Sequence, residues 1–366
     1  MTPVPYVDLA AQYRAEKDAV LGAVQAVLER GEYVGGAVVE ALEADLSAYF
    51  EGRQVVALNS GTDALILGMK ALGIGSGDEV ITPPNSFVAS TAAIVAVGAT
   101  PVFADVLPDQ NIDPQAVAAA ITPRTKAIMP VHLTGRIADM DPLMELADRH
   151  GLAVVEDAAQ AIGSRYLGKL SGTFGHFGAF SAHPLKNLNA CGDAGFLVTS
   201  DSQVAARVRL LRNHGLADRN TVAEWGTVSR LDVIQAAILQ SRLTRLDALI
   251  ARRRANAALY QELLAGLPVF VPPCRDIEFN TFHTFVVQLD RRDEAQAYLS
   301  RHGIGTAIHY PVPIHLQPAA AGLGYKLGGF PVCETQAKRI LTLPVNQGLG
   351  AAEIQHVVAA LKGFLA

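Results

Sequence analysis

The stretch QVVALNSGTDALILGMKALG (residues 54–73) reads as a buried strand that runs straight into a helix. QVVAL is short, apolar and β-branched, and from Ala64 onward the apolar positions recur at three and four, the spacing of one helical face. Between the two lie Asn59, Ser60 and Asp63, residue types that cap helices, and Gly61, which lets another backbone come close. A strand that enters a helix through Ser-Gly-Thr leaves the first helical N–H groups unpartnered at the positive end of the dipole, which makes a seat for a phosphate. Taken alone, Ser60, Gly61 and Thr62 are better explained as a plain helix cap than as a phosphate seat. The stretch is no Walker loop, since Gly-Lys-Ser/Thr does not follow, and it lacks the Gly-x-Gly-x-x-Gly pattern of a dinucleotide site.

Working outward, the rhythm of strand and helix continues on both sides. Residues 19–31 (AVLGAVQAVLERG) and 38–49 have the periodicity of amphipathic helices, the first stopping at a glycine. Downstream, EVITP (79–83), TPVFADV (100–106), TKAIMPVHL (125–133) and LAVVEDA (152–158) read as strands, with helical stretches at 90–97, 113–120 and 141–150. Two further strands, GAFSA and GFLVT, flank the loop of FGAFSAHPLKNLNACGDAGFLVT (177–199). Such alternation predicts an α/β fold with a mostly parallel, doubly wound sheet whose ligands collect at the carboxyl ends of the strands. A helix is expected at 204–212, and helical spacing then runs from 231 to 267, a length suited to linking domains. From Pro268 the pattern is that of a small α+β domain: strand 281–289, helix 293–303, a His-Tyr-Pro-Val-Pro-Ile-His loop (309–315) and helix 352–365. We therefore expect a large domain over 1–245 and a small carboxyl-terminal domain over 246–366.

Composition narrows the function. The chain has 366 residues, half of them hydrophobic and 18% charged, which suits a compact globular protein. Its formal net charge is −5 and it has no basic run, so nothing invites nucleic acid. The three cysteines, Cys191, Cys274 and Cys333, lack both a disulfide framework and metal-ligand spacing. The opening MTPVPYVDLAAQY has no signal-peptide pattern, and the apolar stretch 92–99 is too short to span a bilayer. The expectation is a cytoplasmic protein without a membrane segment.

Lys186 stands between two buried strands in a loop of Pro, Asn and Gly, where a solvated surface lysine is the ordinary alternative. Glu156 and Asp157 close a strongly apolar strand, and a carboxylate there is costly to bury without a cationic partner. Phe87 lies just past a strand end, placed either to stack on a flat ring or to fill the core. Gln160 follows Asp157 by three residues and reaches the same ligand if a turn begins there. A phosphate seat, a stacking aromatic, a buried aspartate and a loop lysine are together the parts that bind pyridoxal 5′-phosphate. The lysine supplies the amine for the Schiff base, and the aspartate keeps the pyridine nitrogen protonated.

The blocks NSGTDAL, VVEDAAQAIG, FSAHPLKNLNACGDAG, SRLDVIQAAIL and HYPVPIHLQP, in this order, resemble those of the DegT/StrS family of nucleotide-sugar aminotransferases, of pyridoxal-phosphate fold type I. The resemblance covers nearly the whole chain. It implies that Lys186 is the catalytic lysine, that Gly61, Thr62 and Ser181 contact the phosphate, and that Asp157 pairs with the pyridine nitrogen. It further implies that Gln160 bonds the ring hydroxyl, that Phe87 stacks on the ring, and that Arg230, His309 and Tyr310 stand on the substrate side. A ping-pong transfer from an amino acid, glutamate, to a nucleotide-diphosphate keto sugar is implied, in a homodimer whose sites are completed by the neighbouring subunit near SRLD. One position departs: the family reads Asn before Ser-Arg-Leu-Asp, and this chain has Val228, whose side chain donates no hydrogen bond to a phosphate. Such a bond nets about 0.5 to 1.5 kcal/mol, so cofactor binding is expected to survive. Two rivals share the fold, a sugar dehydratase and a non-catalytic pyridoxal-phosphate-binding regulator; the presence of Lys186 and Asp157 argues against both. A nicotinamide dehydrogenase fails for want of the glycine fingerprint.

Overall fold

The computed structural model describes residues 3–366; the first two residues of the opening stretch, read above as carrying no leader pattern, lie outside them. Two helices lead, α1 (Leu9–Arg30) and α2 (Ala37–Tyr49), and the strand β1 (Gln54–Leu58) then enters α3 (Gly61–Ala71) as its sequence requires. Next come β2 (Glu79–Thr82), α4 (Val88–Ala96), β3 (Thr100–Phe103), α5 (Pro114–Ala120), β4 (Thr125–Ile128), α6 (Met140–His150) and β5 (Ala153–Asp157). The hairpin β6 (Arg165–Tyr166) and β7 (Lys169–Leu170) precedes β8 (Phe177–Ser181) and β9 (Gly195–Thr199), and α7 (Ser202–Leu211) follows. Beyond lie α8 (Val233–Leu243), α9 (Leu246–Leu264), β10 (Glu278–Phe279), β11 (Phe285–Gln288), α10 (Arg292–Arg301), α11 (Pro331–Arg339), β12 (Ile340–Leu343) and α12 (Ala351–Leu365).

The central sheet has seven strands in the order β1-β9-β8-β5-β4-β2-β3. It is parallel from β8 through β3, as the alternation predicts, while β9 runs antiparallel to both of its neighbours. Helices cover both faces. Val55, Ala57, Phe180 and Phe196 pack against α2 and α8, whereas Val56, Leu58, Ala179 and Leu197 pack against α3 and α7, the period-two alternation of strands buried on both sides. A separate apolar core joins α9, β11, β12, α10 and α12, and the β11–β12 pair is antiparallel.

Two expectations change. The helical stretch 231–267 is not one helix: Arg245 has φ −114° and ψ 2°, and it separates α8 from α9. Thr244 Oγ1 donates to the Ser241 carbonyl at 2.9 Å, and Arg242 and Arg245 both turn to the Glu16 carboxylate on α1, so side-chain bonding takes over where the helix would have continued. The linking element is α9 alone, with Leu246 and Ile250 in the core beside the large sheet and Ala257, Tyr260 and Leu264 in the separate one. At the other end of the chain, α1 begins ten residues before its apolar periodicity, because Asp8 accepts from the Ala11 N–H at 2.7 Å and Glu16 anchors the first turns to α8.

Candidate active site

Because β9 is antiparallel to both β1 and β8, those two strands point the same way and end at one edge of the sheet, where β9 begins. Leu58, Gly195 and Ser181 are register partners along that edge. Asp157 ends β5, the next strand over, opposite Ala179. The turn into α3, the Lys186 loop, Ser181 and Asp157 therefore meet, although they are up to 126 positions apart in sequence. They line a cavity of about 330 Å³.

The floor is the start of α3. Ser60 Oγ accepts from the Asp63 N–H at 3.1 Å, and the Gly61 and Thr62 N–H groups have no acceptor among the described residues, so they stay available at the dipole's positive end. A side chain at Gly61 would have its Cβ 2.9 Å from Ser181 Cβ, and one at Gly195 would lie 2.3 Å from the Ser60 carbonyl carbon. The two glycines let helix and strands close onto each other there. Asn59 is held from behind by Ser229, whose hydroxyl donates to Asn59 Oδ1 at 3.1 Å.

Lys186 reaches the cavity from its loop. Part of its surface opens inward, yet the surrounding protein desolvates the ammonium and lowers its pKa to about 8, against a smaller opposing pull from Asp157. Asp157 itself is buried, and among the described residues it lacks the ion pair that burial leads one to expect. Its carboxylate instead accepts from Ser90 Oγ at 2.7 Å and from the Ala159 N–H at 3.2 Å. The paired acid Glu156 is fully buried but structural: it accepts from the N–H groups of Gly172, Phe174 and Gly175 at 2.6–2.8 Å and meets His132 Nε2 at 2.9 Å.

A turn does begin after Asp157, and it places Gln160 on the cavity wall, its Oε1 accepting from the Thr134 N–H at 2.8 Å. Phe87 is exposed at the mouth rather than in the core, its ring 5.6 Å from that of Tyr310. The Tyr310 phenol is pushed above its usual range by burial and by Asp157, while the nearby Gln160 amide pulls the other way. His309 bonds Thr342 Oγ1 through Nδ1 at 2.9 Å and is held neutral, its pKa pushed down to about 4 by burial and then by Lys186.

Nine of the ten candidate residues thus line one cavity. Arg230 does not: it donates to Asn213 Oδ1 at 3.1 Å, on a segment where Val228 and Trp225 are exposed. Three groups on or behind the wall escaped the sequence. Ser90 looks like any helix serine, Arg253 like one of three consecutive arginines on an amphipathic helix, and His283 like a residue of a strand. Only a third-dimensional neighbour distinguishes them, so no local signal marks them. As a whole, the arrangement offers an amine poised near neutrality, a facing carboxylate and an anion seat, which suits imine formation and proton transfer on a phosphorylated, flat ligand.

Residues 14–362 match the family model described as the DegT/DnrJ/EryC1/StrS aminotransferase family. A dTDP-3-amino-3,4,6-trideoxy-alpha-D-glucose transaminase of Streptomyces venezuelae is 46% identical over 98% of this chain and 95% of its own. A UDP-N-acetyl-3-dehydro-alpha-D-glucosamine 3-aminotransferase of Acidithiobacillus ferrooxidans is 41% identical over 100% and 98%. The crystal structure of S. venezuelae DesV in complex with a ketimine intermediate superposes with a TM-score of 0.97 at 45% identity, covering 100% of this chain and 99% of that one.

Proposed function

The chain belongs to the DegT/DnrJ/EryC1/StrS aminotransferase family, and from that premise we propose that it transfers the amino group of glutamate to the keto carbon of a nucleotide-linked hexose, in two half-reactions at one site. It is a sugar aminotransferase, and its cofactor is pyridoxal 5′-phosphate, the group that solved structures similar to this one carry in both its aldehyde and its amine form.

The residues present fit that cofactor. The open N–H groups of Gly61 and Thr62, with the Thr62 and Ser181 hydroxyls, suit its phosphate; Asp157 suits the ring nitrogen, Gln160 the ring hydroxyl and Phe87 the ring face. When bound, the cofactor supplies an electron sink for negative charge at the donor carbon. Lys186, neutral in a sizeable fraction near pH 8, attacks a carbonyl and afterwards carries a proton between neighbouring atoms. Ser90 and the Ala159 N–H fix the Asp157 carboxylate in one orientation. Neutral His309 and Tyr310 offer hydrogen bonds to a sugar without competing for its diphosphate.

The same reading makes the protein a cytoplasmic homodimer of chains with a large domain (1–245) and a small one (246–366). Arg230, off this chain's cavity, then serves the site of a second copy, next to Val228, and the α3 amides and hydroxyls hold the cofactor phosphate that an asparagine at 228 would have helped to bind. Among the described residues no helix is long and apolar enough to cross a membrane. The observation that carries the proposal is that Lys186, Asp157 and the open N–H end of α3 at Gly61 and Thr62 line one cavity.

The deciding experiment mixes the amine form of the holoenzyme with a panel of nucleotide-linked 3-keto and 4-keto sugars and follows return of the aldehyde-form absorbance. One sugar should restore it fully. If glutamate bleaches the aldehyde form and no keto sugar restores it, the sugar half of the reading is wrong. Lys186→Ala is expected to bind the cofactor noncovalently and to lose turnover, and full activity in that variant would remove Lys186 from the mechanism.

A further inference from the structure

Arg253 on α9 is buried, with 6% of its surface exposed, yet among the described residues no carboxylate pairs with it. Its Nε donates to Gln347 Oε1 at 3.2 Å and its Nη1 to the carbonyls of Phe282 and His283 at 3.2 and 3.0 Å, all of them neutral oxygens. Its Nη2 has no hydrogen-bond partner among the described residues, and the side chain lines the Lys186 cavity. Among the described residues Tyr6 is the one group of potential negative charge acting on it, but burial raises that phenol's pKa to about 12, so the phenol is neutral at working pH. His283, whose carbonyl Arg253 holds, is driven to the neutral imidazole by burial and by the Lys186 and Arg253 charges. A neutral donor would serve to clamp two carbonyls and an amide. A guanidinium leaves a full charge over, and a buried charge without a counter-charge is unfavourable.

We propose that Arg253 receives a carboxylate of the amino donor through its open Nη2 edge. The assignment rests on the aminotransferase reading above and deepens it, naming which wall takes the amino acid. One cavity must accept an amino-acid anion in one half-reaction and a sugar in the other. A fixed guanidinium matches a planar carboxylate with paired hydrogen bonds, whereas the hydroxyls of a sugar gain little from it.

The test uses the holoenzyme and the variants Arg253→Gln and Arg253→Lys, with thermal unfolding checked first, because both substitutions disturb the clamp on residues 282–283. Half-saturation of the glutamate half-reaction is expected to rise about 30-fold or more in Arg253→Gln and roughly tenfold in Arg253→Lys. Half-saturation for the keto sugar that the wild type accepts should move less than about threefold. Calorimetric titration with maleate, a dicarboxylate that carries no amine, reads the site without turnover: the wild type should bind it and Arg253→Gln should not. Unchanged glutamate half-saturation in a folded Arg253→Gln, an equal loss in both half-reactions, or unaltered maleate binding would each overturn the assignment. Wild-type holoenzyme that glutamate fails to bleach but that binds maleate through Arg253 would sink the glutamate reading and leave the carboxylate site standing.

Discussion

Burying the Lys186 ammonium costs more than the Asp157 carboxylate returns, which is why its pKa falls to about 8 instead of rising. The unfolded chain holds that proton up to about pH 10.5. Between about 8 and 10.5 the unfolded state therefore binds more protons than the folded one, so this residue's contribution to stability improves as pH rises through that window and is at its worst below it. Lys186→Met in the cofactor-free protein is accordingly expected to gain about 1 to 3 kcal/mol at pH 7 in urea unfolding, with the gain shrinking by pH 10. Uptake of added cofactor by the wild type should accelerate with pH along a curve centred near 8; a curve centred near 10 would mean that the amine is solvated. The lysine itself was legible from two apolar runs and a loop between them. Its desolvation was not, because that depends on walls supplied by residues such as Asp157, His309 and Tyr310 from elsewhere in the chain.

Two elements set the site's shape, the β9 strand and the turn ahead of β8. Gly195 lies where β9 passes beneath the start of α3, and the Cβ in Gly195→Ala would meet Ser60 and Gly61 backbone at 2.3–2.4 Å. Backbone cannot rotate away, so this variant should lose about 1 to 3 kcal/mol and bind cofactor more weakly, both read from thermal unfolding with and without cofactor. Wild-type stability and affinity would show that the close approach is unimportant. At the other element, Glu156 gathers three N–H groups of residues 172–175 and one imidazole, and so pins the turn that feeds β8. Glu156→Gln turns an amide NH₂ toward those donors and should destabilise the fold by about 2 to 3 kcal/mol while the bound cofactor keeps its absorbance, since Glu156 does not line the cavity. Strand and helix identities were readable here from periodicity. The purpose of the adjacent acids was not: the sequence presents Glu156 and Asp157 as a pair, and the fold sends one into a structural knot and the other into the site.

At the scale of the molecule, the exposed apolar side chains Tyr33, Val34, Val222, Trp225 and Val228 stand out, and the bridge between Val34 and Asp232 brings the first two beside the segment that ends in Arg230. Trp225 is the chain's single tryptophan and is 90% exposed. If this surface meets a second copy, sedimentation equilibrium should return twice the 38.7 kDa chain mass, and dilution toward monomer should red-shift the tryptophan emission. A dimer whose emission is that of a fully solvated indole would place the interface elsewhere. What the sequence determined by itself is local: which stretches are strand or helix, the cap that opens α3, and the residue types able to hold a phosphorylated ring. Those follow from side-chain period and backbone chemistry within a few residues. What only the tertiary structure decided is the insertion of β9 between β1 and β8, the break at Arg245, the arrival of Arg253 and His283 at one cavity with Ser90 behind its Asp157, and the removal of Arg230 from it. Strand pairing, desolvation and charge balance are sums over neighbours far apart in the chain, and no window of sequence contains them.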